Sequence, residues 1–372
     1  MAARNPNGRR PTIVDIAKQV GVSPAAVSMV LRELPGIGDE TRQRVLAAAA
    51  ELNYRPDSRA KLLRSRNSKV LGVLYSLMSP FHADLVQWLY ESAGKRGYTV
   101  MLGALGENIS SARAVEALLN ARCDGIILID PESMDESVIS VASQVPTVAI
   151  GHMHPRPGTD LVQASGSEGI AQALGHLVSL GHRRIAHVSG GSSLAGAERS
   201  KAYVSSMERL GLASEIEIIE GDGSDLAGVL AARSFLQGNM PTAVVAYNDS
   251  TAVGLLFELL RAGVSVPADV SLVGYDDSHV ASLPHIGLTS IAQGSPRLAK
   301  AAVERMDARL QDSASTSAPA DPWIDILTPH LAVRSSTGPA PAAKDHSLIT
   351  SQRHGTPHGA GMDTSPTNHV PS

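Results

Sequence analysis

Between Thr12 and Leu34 apolar residues recur at helical spacing. Ile13, Ile16, Ala17 and Val20 stand at i, i+3, i+4 and i+7, the inner face of a first helix. Gly21 ends that helix, because glycine accepts the left-handed backbone of a helix terminus. Ser23 caps a second helix, and Pro24 takes its first position, where no backbone N–H is needed. Val27, Val30 and Leu31 make its inner face and leave Pro24, Ala25, Ser28, Met29 and Arg32 facing out. Helix, tight turn, helix predicts a helix-turn-helix whose second helix enters the DNA major groove; a surface hairpin of another domain is the plainer alternative. Gly38, Asp39 and Glu40 open a third helix, with acidic residues suited to its dipole. Val45, Leu46, Ala49 and Leu52 give its apolar face and close a small core over residues 11–54.

From residue 69 strands and helices alternate. Short apolar runs at Val70–Tyr75, Tyr98–Gly103, Gly125–Ile129 and Thr147–Ile150 form one set of strands. Ile185–Ser189, Ile216–Ile219, Ala243–Ala246 and Ser271–Gly274 form a second. Amphipathic helices fall between them at 82–96, 112–121, 167–180, 197–210, 225–237 and 249–262. Repeated β-α-β units imply parallel sheets covered by helices on both faces, here as two doubly wound lobes. Ligands of such sheets bind at the carboxyl ends of the strands, in the crevice between lobes.

Charge sharpens this division. Residues 1–66 carry twelve Lys/Arg against six Asp/Glu, and the remainder 20 against 30, so a basic head sits on an acidic body. The head is suited to a polyanion and the body is not. The single cysteine, Cys123, allows no internal disulfide and reads as a small core residue in a reducing compartment. Residues 1–10 are polar, and no apolar run of about 20 residues follows, so neither a signal peptide nor a membrane span is expected. The expected location is the cytoplasm, on the nucleoid when bound to DNA. Residues 338–372, rich in Ser, Thr, Pro, Gly and His, read as a disordered tail in which the histidine spacing fits no metal site.

No catalytic constellation stands out, so no enzyme activity, cofactor or metal is expected. GGSSLAG at 190–196 lacks the Lys-Ser/Thr of a phosphate loop, and the adjacent Asp276 and Asp277 point apart on a strand end. A solute-binding protein of a transporter, or a sugar-processing enzyme fused to a DNA anchor, are the rival classes.

TIVDIAKQVGVSPAAVSMVL, ETRQRVLAAAAELNYRP and the basic segment RPDSRAKLLRSR resemble, without gaps from Thr12 to Leu63, the LacI/GalR family of bacterial regulators. GHRRIAHVSG, AYNDSTAVG, VPADVSLVGYDDS, LTSIAQ and LAVRSST extend the resemblance to residue 337. It implies a helix-turn-helix domain at 1–55 and a hinge helix and linker at 56–68, followed by a periplasmic-binding-protein-like core at 69–337. The core's N-lobe is placed at about 69–162 and 293–323 and its C-lobe at about 163–290 and 325–337, with crossings near 160–163, 290–293 and 322–326. The implied protein is a homodimeric repressor. It binds a palindromic double-stranded operator and answers to a small-molecule effector, by default a sugar or related polar metabolite.

The resemblance assigns residues as well. Pro24, Ala25 and Met29 occupy base-reading positions, beside Ser28 and Arg32, while Thr12, Ser23, Ser28 and Tyr54 are suited to hold phosphates. Leu63 is the implied minor-groove wedge, with Ala60 the small residue that lets two hinge helices approach and Arg59 a departure from the usual β-branched residue. Phe81, His82, Arg199, Asn248, Asp249 and Asp276 are the implied effector contacts. Ala164, Ser193 and Gly223 stand where relatives often carry an Asp, an Arg or an aromatic, so several usual sugar-holding groups are missing.

Overall fold

The computed structural model describes residues 11–54, 68–106, 109–312 and 321–341. The chain divides into two compact units, one ending at Ser68 and the other beginning at Lys69. The basic arm and the hinge residues Arg59, Ala60 and Leu63 lie outside the described residues, as does the tail from residue 342.

In the first unit α1 (Ile13–Val20) and α2 (Pro24–Leu31) meet at 107° and pack on α3 (Asp39–Glu51). Gly21 takes φ 75°, and the Ser23 hydroxyl accepts the Ala26 N–H at 3.1 Å, so both turn signals act as the sequence implies. Ile16, Ala17, Val20, Val27, Val30, Val45, Ala48 and Ala49 form the buried core. Leu46, expected inside, is 48% exposed, and Ala48 takes the inward place. The helical period decides this, since positions 45, 48, 49 and 52 share one face and 46 lies off it. Arg44 ties α3 to α1 through the Val20 carbonyl at 2.7 Å.

The second unit holds two six-stranded sheets. The first contains β1 (Val70–Ser76), β2 (Thr99–Leu105), β3 (Gly125–Ile129), β4 (Thr147–Ile150), β5 (Thr159–Ala164) and β11 (Ile324–Leu327), all parallel in the order 11-5-4-3-1-2. The second contains β6 (Ile185–Val188), β7 (Glu217–Ile219), β8 (Ala243–Ala246), β9 (Ser271–Asp276), β10 (Thr289–Ala292) and β12 (His330–Ala332), in the order 12-10-9-8-6-7. Only β12 in this sheet is antiparallel to its neighbour. Each sheet is buried on both faces. Ile127 and Ile129 of β3 join one core with α4 (Pro80–Lys95) and α12 (Ser295–Asp312). Ile126 and Leu128 join another with α5 (Ser111–Asn120) and α6 (Glu136–Ala142). In the second sheet Ala243 and Val245 face α7 (Gly166–Ser179) and α8 (Leu194–Arg209), while Val244 and Ala246 face α9 (Asp225–Gln237) and α10 (Asp249–Arg261). Two-sided burial explains why these strands read as unbroken apolar runs. Cys123 is buried in the first lobe, and burial pushes its thiol up to about 11, which keeps it protonated. No single helix among the described residues is long and apolar enough to cross a membrane.

The lobe crossings need correction. The chain leaves the first sheet only after Ala164, returns after Ala292, and leaves again between Leu327 and His330. The expected crossing at 160–163 lies inside β5, and the one at 322–326 overlaps β11. The reason is a pairing invisible in the local pattern: β5 and β11 run in parallel register, Leu161 against Ile324. The chain also stays docked past residue 337. The buried His182 ring lies 3.0 Å from the Gly338 carbonyl, and Ala340 N–H donates to Leu180 O at 2.9 Å.

Asp160 fastens the β5–β11 edge. Its fully buried carboxylate accepts from Arg309 Nε at 2.6 Å and Nη2 at 2.8 Å, from Arg305 Nε at 2.5 Å and from Trp323 N–H at 2.9 Å. Burial alone would raise its pKa; the two guanidiniums and the N–H hold it below the usual value. Asp160→Ala strands the buried Arg309 guanidinium and should cost about 3–5 kcal/mol in urea unfolding, whereas a loss under about 1 kcal/mol would show that the network adds little.

Candidate DNA-reading helix and effector cleft

On the head, Pro24, Ala25 and Arg32 are exposed and Ser28 and Met29 half-buried, so α2 presents the expected outer face. The two caps differ in what they leave over. Asp15 accepts from both Thr12 N–H (2.8 Å) and the Thr12 hydroxyl (2.7 Å), so that hydroxyl's only proton is committed to Asp15. Ser23 accepts from Ala26 and keeps its proton for a phosphate oxygen. Tyr54 packs against the head core with its side chain half-buried.

In the second unit a cavity of about 290 Å³ lies between the lobes at the carboxyl ends of the strands. Phe81, His82, Arg199, Asn248 and Asp276 line it, together with Asp130, Glu132, His152, Asp222, Tyr247 and Gln293, which the sequence did not single out. Phe81 and His82 are not on a loop but in the first turn of α4, both buried. His82 Nδ1 accepts the Ser76 N–H at 3.1 Å, so Nε2 carries the proton and lies 3.9 Å from Asp130. Burial lowers the His82 pKa, partly offset by Asp130.

Arg199 sits mid-helix in α8 rather than at its start. Its guanidinium is buried, 3.6 Å from the Tyr275 ring centroid and 4.6 Å from that of Tyr247, and Nη1 donates to Tyr247 O at 2.6 Å. Burial works against the charge, but the tyrosines, Asp276 and Asp130 outweigh it and keep Arg199 ionised. Arg199 and Asp276 form no ion pair. Asp276 instead accepts Gln293 Nε2 at 2.7 Å, and burial pushes its carboxyl up to about 8 against the pull of Arg199. The neighbouring Asp277 turns away to Arg334, at 2.6 Å.

Asn248 rather than Asp249 caps α10, accepting Thr251 N–H at 2.8 Å and donating to Gly223 O at 2.9 Å. Asp249 is the correction among the effector candidates. Its buried carboxylate binds Ser278 N–H (2.7 Å), Ser278 Oγ (2.8 Å) and Ser290 Oγ (2.6 Å). It borders only an adjoining cavity of about 550 Å³, and its acceptors are taken up in bracing the end of β9.

Tyr247 explains the missing aromatic at 223. Its ring is seated against Gly190 and Gly223: a Cβ on Gly190 would overlap the ring carbons, and one on Gly223 (φ 83°) would lie 2.9 Å from Cε1. The aromatic wall of this cleft therefore comes from the end of β8, and two glycines make room for it.

Three carboxylates cross between lobes. Glu132 accepts the N–H groups of Leu194 and Ala195 at the start of α8, a placement that the helix dipole favours. Glu198 Oε2 lies 2.6 Å from His152 Nε2, while its Oε1 accepts Ser167 N–H at 2.9 Å. Asp84 accepts the N–H of His279, the first residue of the short helix α11 (His279–Ser282), at 2.7 Å. No local pattern marks these residues, because each partner lies in the other lobe.

The family model "Bacterial regulatory proteins, lacI family" matches residues 12–57, and "Periplasmic binding protein-like domain" matches residues 174–337. The HTH-type transcriptional repressor PurR of Photobacterium profundum is 32% identical over 81% of this chain and 92% of its own length. The chain belongs to the lacI family of bacterial regulatory proteins. A LacI transcriptional regulator from Rhodococcus has a similar structure, 37% identical over 73% of this chain and all of that one, with TM-score 0.68. The lac repressor dimer bound to operator and the anti-inducer ONPF is 28% identical over 89% of this chain and all of that one, with TM-score 0.72. This LacI-family chain matches transcriptional regulators over both head and body, so it is a DNA-binding regulator and neither an enzyme nor a transporter's solute-binding protein.

Two measurements test this cleft. Asp276 holds a proton in the folded state between its ordinary value, about 4, and about 8, so folding stability should fall as pH rises through that window. Asp276→Asn should match wild type in Tm near about pH 4 and gain a growing advantage towards about pH 8; a pH-independent difference would refute the shift. Gly190→Ala should cost about 1–3 kcal/mol through overpacking and be nearly neutral on a Tyr247→Ala background, whereas additive effects in the double-mutant cycle would show that the ring is not seated there.

Proposed function

We propose that this regulator is a dimeric repressor that places α2 of each head in a major groove of a palindromic operator, under the control of a small polar effector in the interlobe cleft. The observation that carries the reading is the capped, proline-started α2, which presents Pro24, Ala25 and Arg32 to solvent on a head that matches the family model. Pro24, Ala25 and Met29 offer no bidentate hydrogen bond to a base edge. Specificity therefore leans on apolar contacts such as thymine methyls, on Ser28 and Arg32, and on DNA deformability. Ser23, with Tyr54, sets register on the phosphates, whereas Thr12, the third residue suited to that role, has its hydroxyl proton on Asp15. Ala60 and Leu63 would let two hinge helices meet and wedge the central base step.

Leu226 and Leu230 on α9, and Phe257 and Leu260 on α10, are large apolar side chains left exposed, which favours a homodimer. The family and the single buried thiol favour a cytoplasmic protein, on the nucleoid when bound. Control follows from the contacts between lobes. An effector that binds one degree of closure more tightly shifts the Glu132, Glu198 and Asp84 contacts, and with them the affinity for operator.

Selection of bound duplexes from a random pool by ligand-free full-length protein should enrich a palindrome of about 14–20 base pairs with a flexible centre. Leu63→Ala should weaken binding to that duplex and relax its bend. Enrichment of no palindrome would overturn the dimeric-operator reading, and unchanged affinity with an unchanged bend would overturn the wedge.

A further inference from the structure

Two buried nitrogens on one face of the second sheet have no hydrogen-bond partner among the described residues: Arg199 Nε and His187 Nε2. The first is a donor, since a guanidinium keeps its protons. The second is an acceptor. His187 is fully buried in β6, and its Nδ1 lies 2.9 Å from the Val245 carbonyl. A carbonyl only accepts, so Nδ1 carries the ring proton. Burial pushes the His187 pKa down to about 4, and the nearby Arg199 charge acts in the same direction, so Nε2 keeps a bare lone pair at neutral pH. An unmet donor and an unmet acceptor are each unfavourable, and one water between them satisfies both.

Register brings the two side chains together. His187, Val245 and Val273 form one row across β6, β8 and β9. Tyr247 and Tyr275, two residues beyond Val245 and Val273, form the next row on that face. Helix α8 lies over both rows. Its Tyr203 ring stacks on His187 with centroids 5.3 Å apart, and its Arg199, four residues earlier, covers Tyr247 and Tyr275. Four residues of helix rise about 6 Å and two residues of strand about 6.6 Å, so helix and sheet agree on the offset. Two hydrogen bonds through one water span about 5–6 Å. We propose that a water sealed beneath the cleft accepts from Arg199 Nε–H and donates to His187 Nε2, which makes His187 a positioning residue for the cleft guanidinium. Tyr247 O holds Nη1 and the water holds Nε, so the plane of the guanidinium is set before any ligand arrives. The consequence for recognition rests on the cleft being the effector site; the water itself does not.

The test needs no effector, so its failure leaves the effector cleft standing. In a crystal structure of the full-length protein at about 1.5 Å, one water should lie within about 3.2 Å of both nitrogens. No water there, a water touching only one of them, or a direct bond between the two overturns the site. In solution, NMR follows exchange of the Arg199 Nε–H, assigned by its loss in Arg199→Lys. His187→Phe keeps a ring against Tyr203 and removes the acceptor. It should speed that exchange about tenfold or more, while the Glu217 N–H, which donates to the Tyr203 hydroxyl at 3.0 Å, exchanges as in wild type. Unchanged exchange at Arg199 overturns the positioning role. Equal acceleration at both groups shows loosened packing instead and overturns it too. The crystallographic arm decides whether or not this variant folds.

Discussion

The buried guanidinium of Arg199 is the interaction on which the cleft depends. A charge held away from water persists only when its surroundings replace hydration, and here two tyrosine rings and the Tyr247 carbonyl do so. These partners come from the ends of β8 and β9, and Arg199 itself from α8, so one side chain sets the relative positions of three elements. Tyr247 can serve only because Gly190 and Gly223 yield the space for its ring. Asp249 fixes the same wall from behind by holding Ser278 and Ser290. The second-lobe face of the cleft is thus preorganised before any ligand arrives.

Contacts between the lobes have a different character. Glu132, Glu198 and Asp84 each reach across to a backbone N–H or an imidazole near the cleft. Such polar contacts exchange readily with water, unlike the packed cores within each lobe, so closure is the soft coordinate of the second unit. A sensor needs this arrangement: rigid walls that recognise, joined by contacts weak enough for a ligand to bias.

Much of the architecture is legible in the chain. The caps at Ser23 and Gly21, the i, i+3, i+4 faces and the apolar runs at 125–129, 147–150 and 243–246 are local signals, and the structure places elements there. Of the elements absent from the sequence reading, β5, β10, β11, β12 and α12 lie at or beside the lobe crossings, and α6 lies within the first lobe. β11 and β12 alternate burial weakly and take their identity from a distant partner, Leu161 for Ile324 and Ser290 for Ala332.

The sequence by itself determined the three-helix head, the outward face of α2 and the two sets of β-α-β units, and its resemblance to a family pointed to five residues that line the cleft: Phe81, His82, Arg199, Asn248 and Asp276. The elements follow from local periodicity, and the cleft residues from the resemblance of their motifs, whose spacing survives folding. Tertiary structure alone decided that the Asp249 carboxylate is taken up by Ser278 and Ser290, that Tyr247 replaces the aromatic absent at 223, and that Asp160 fastens an edge of the first sheet instead of lying at a lobe crossing. The physical reason is common to all three. Each role depends on a partner 29 to 163 residues away, or on space left by a glycine elsewhere in the chain, and local spacing carries no record of either.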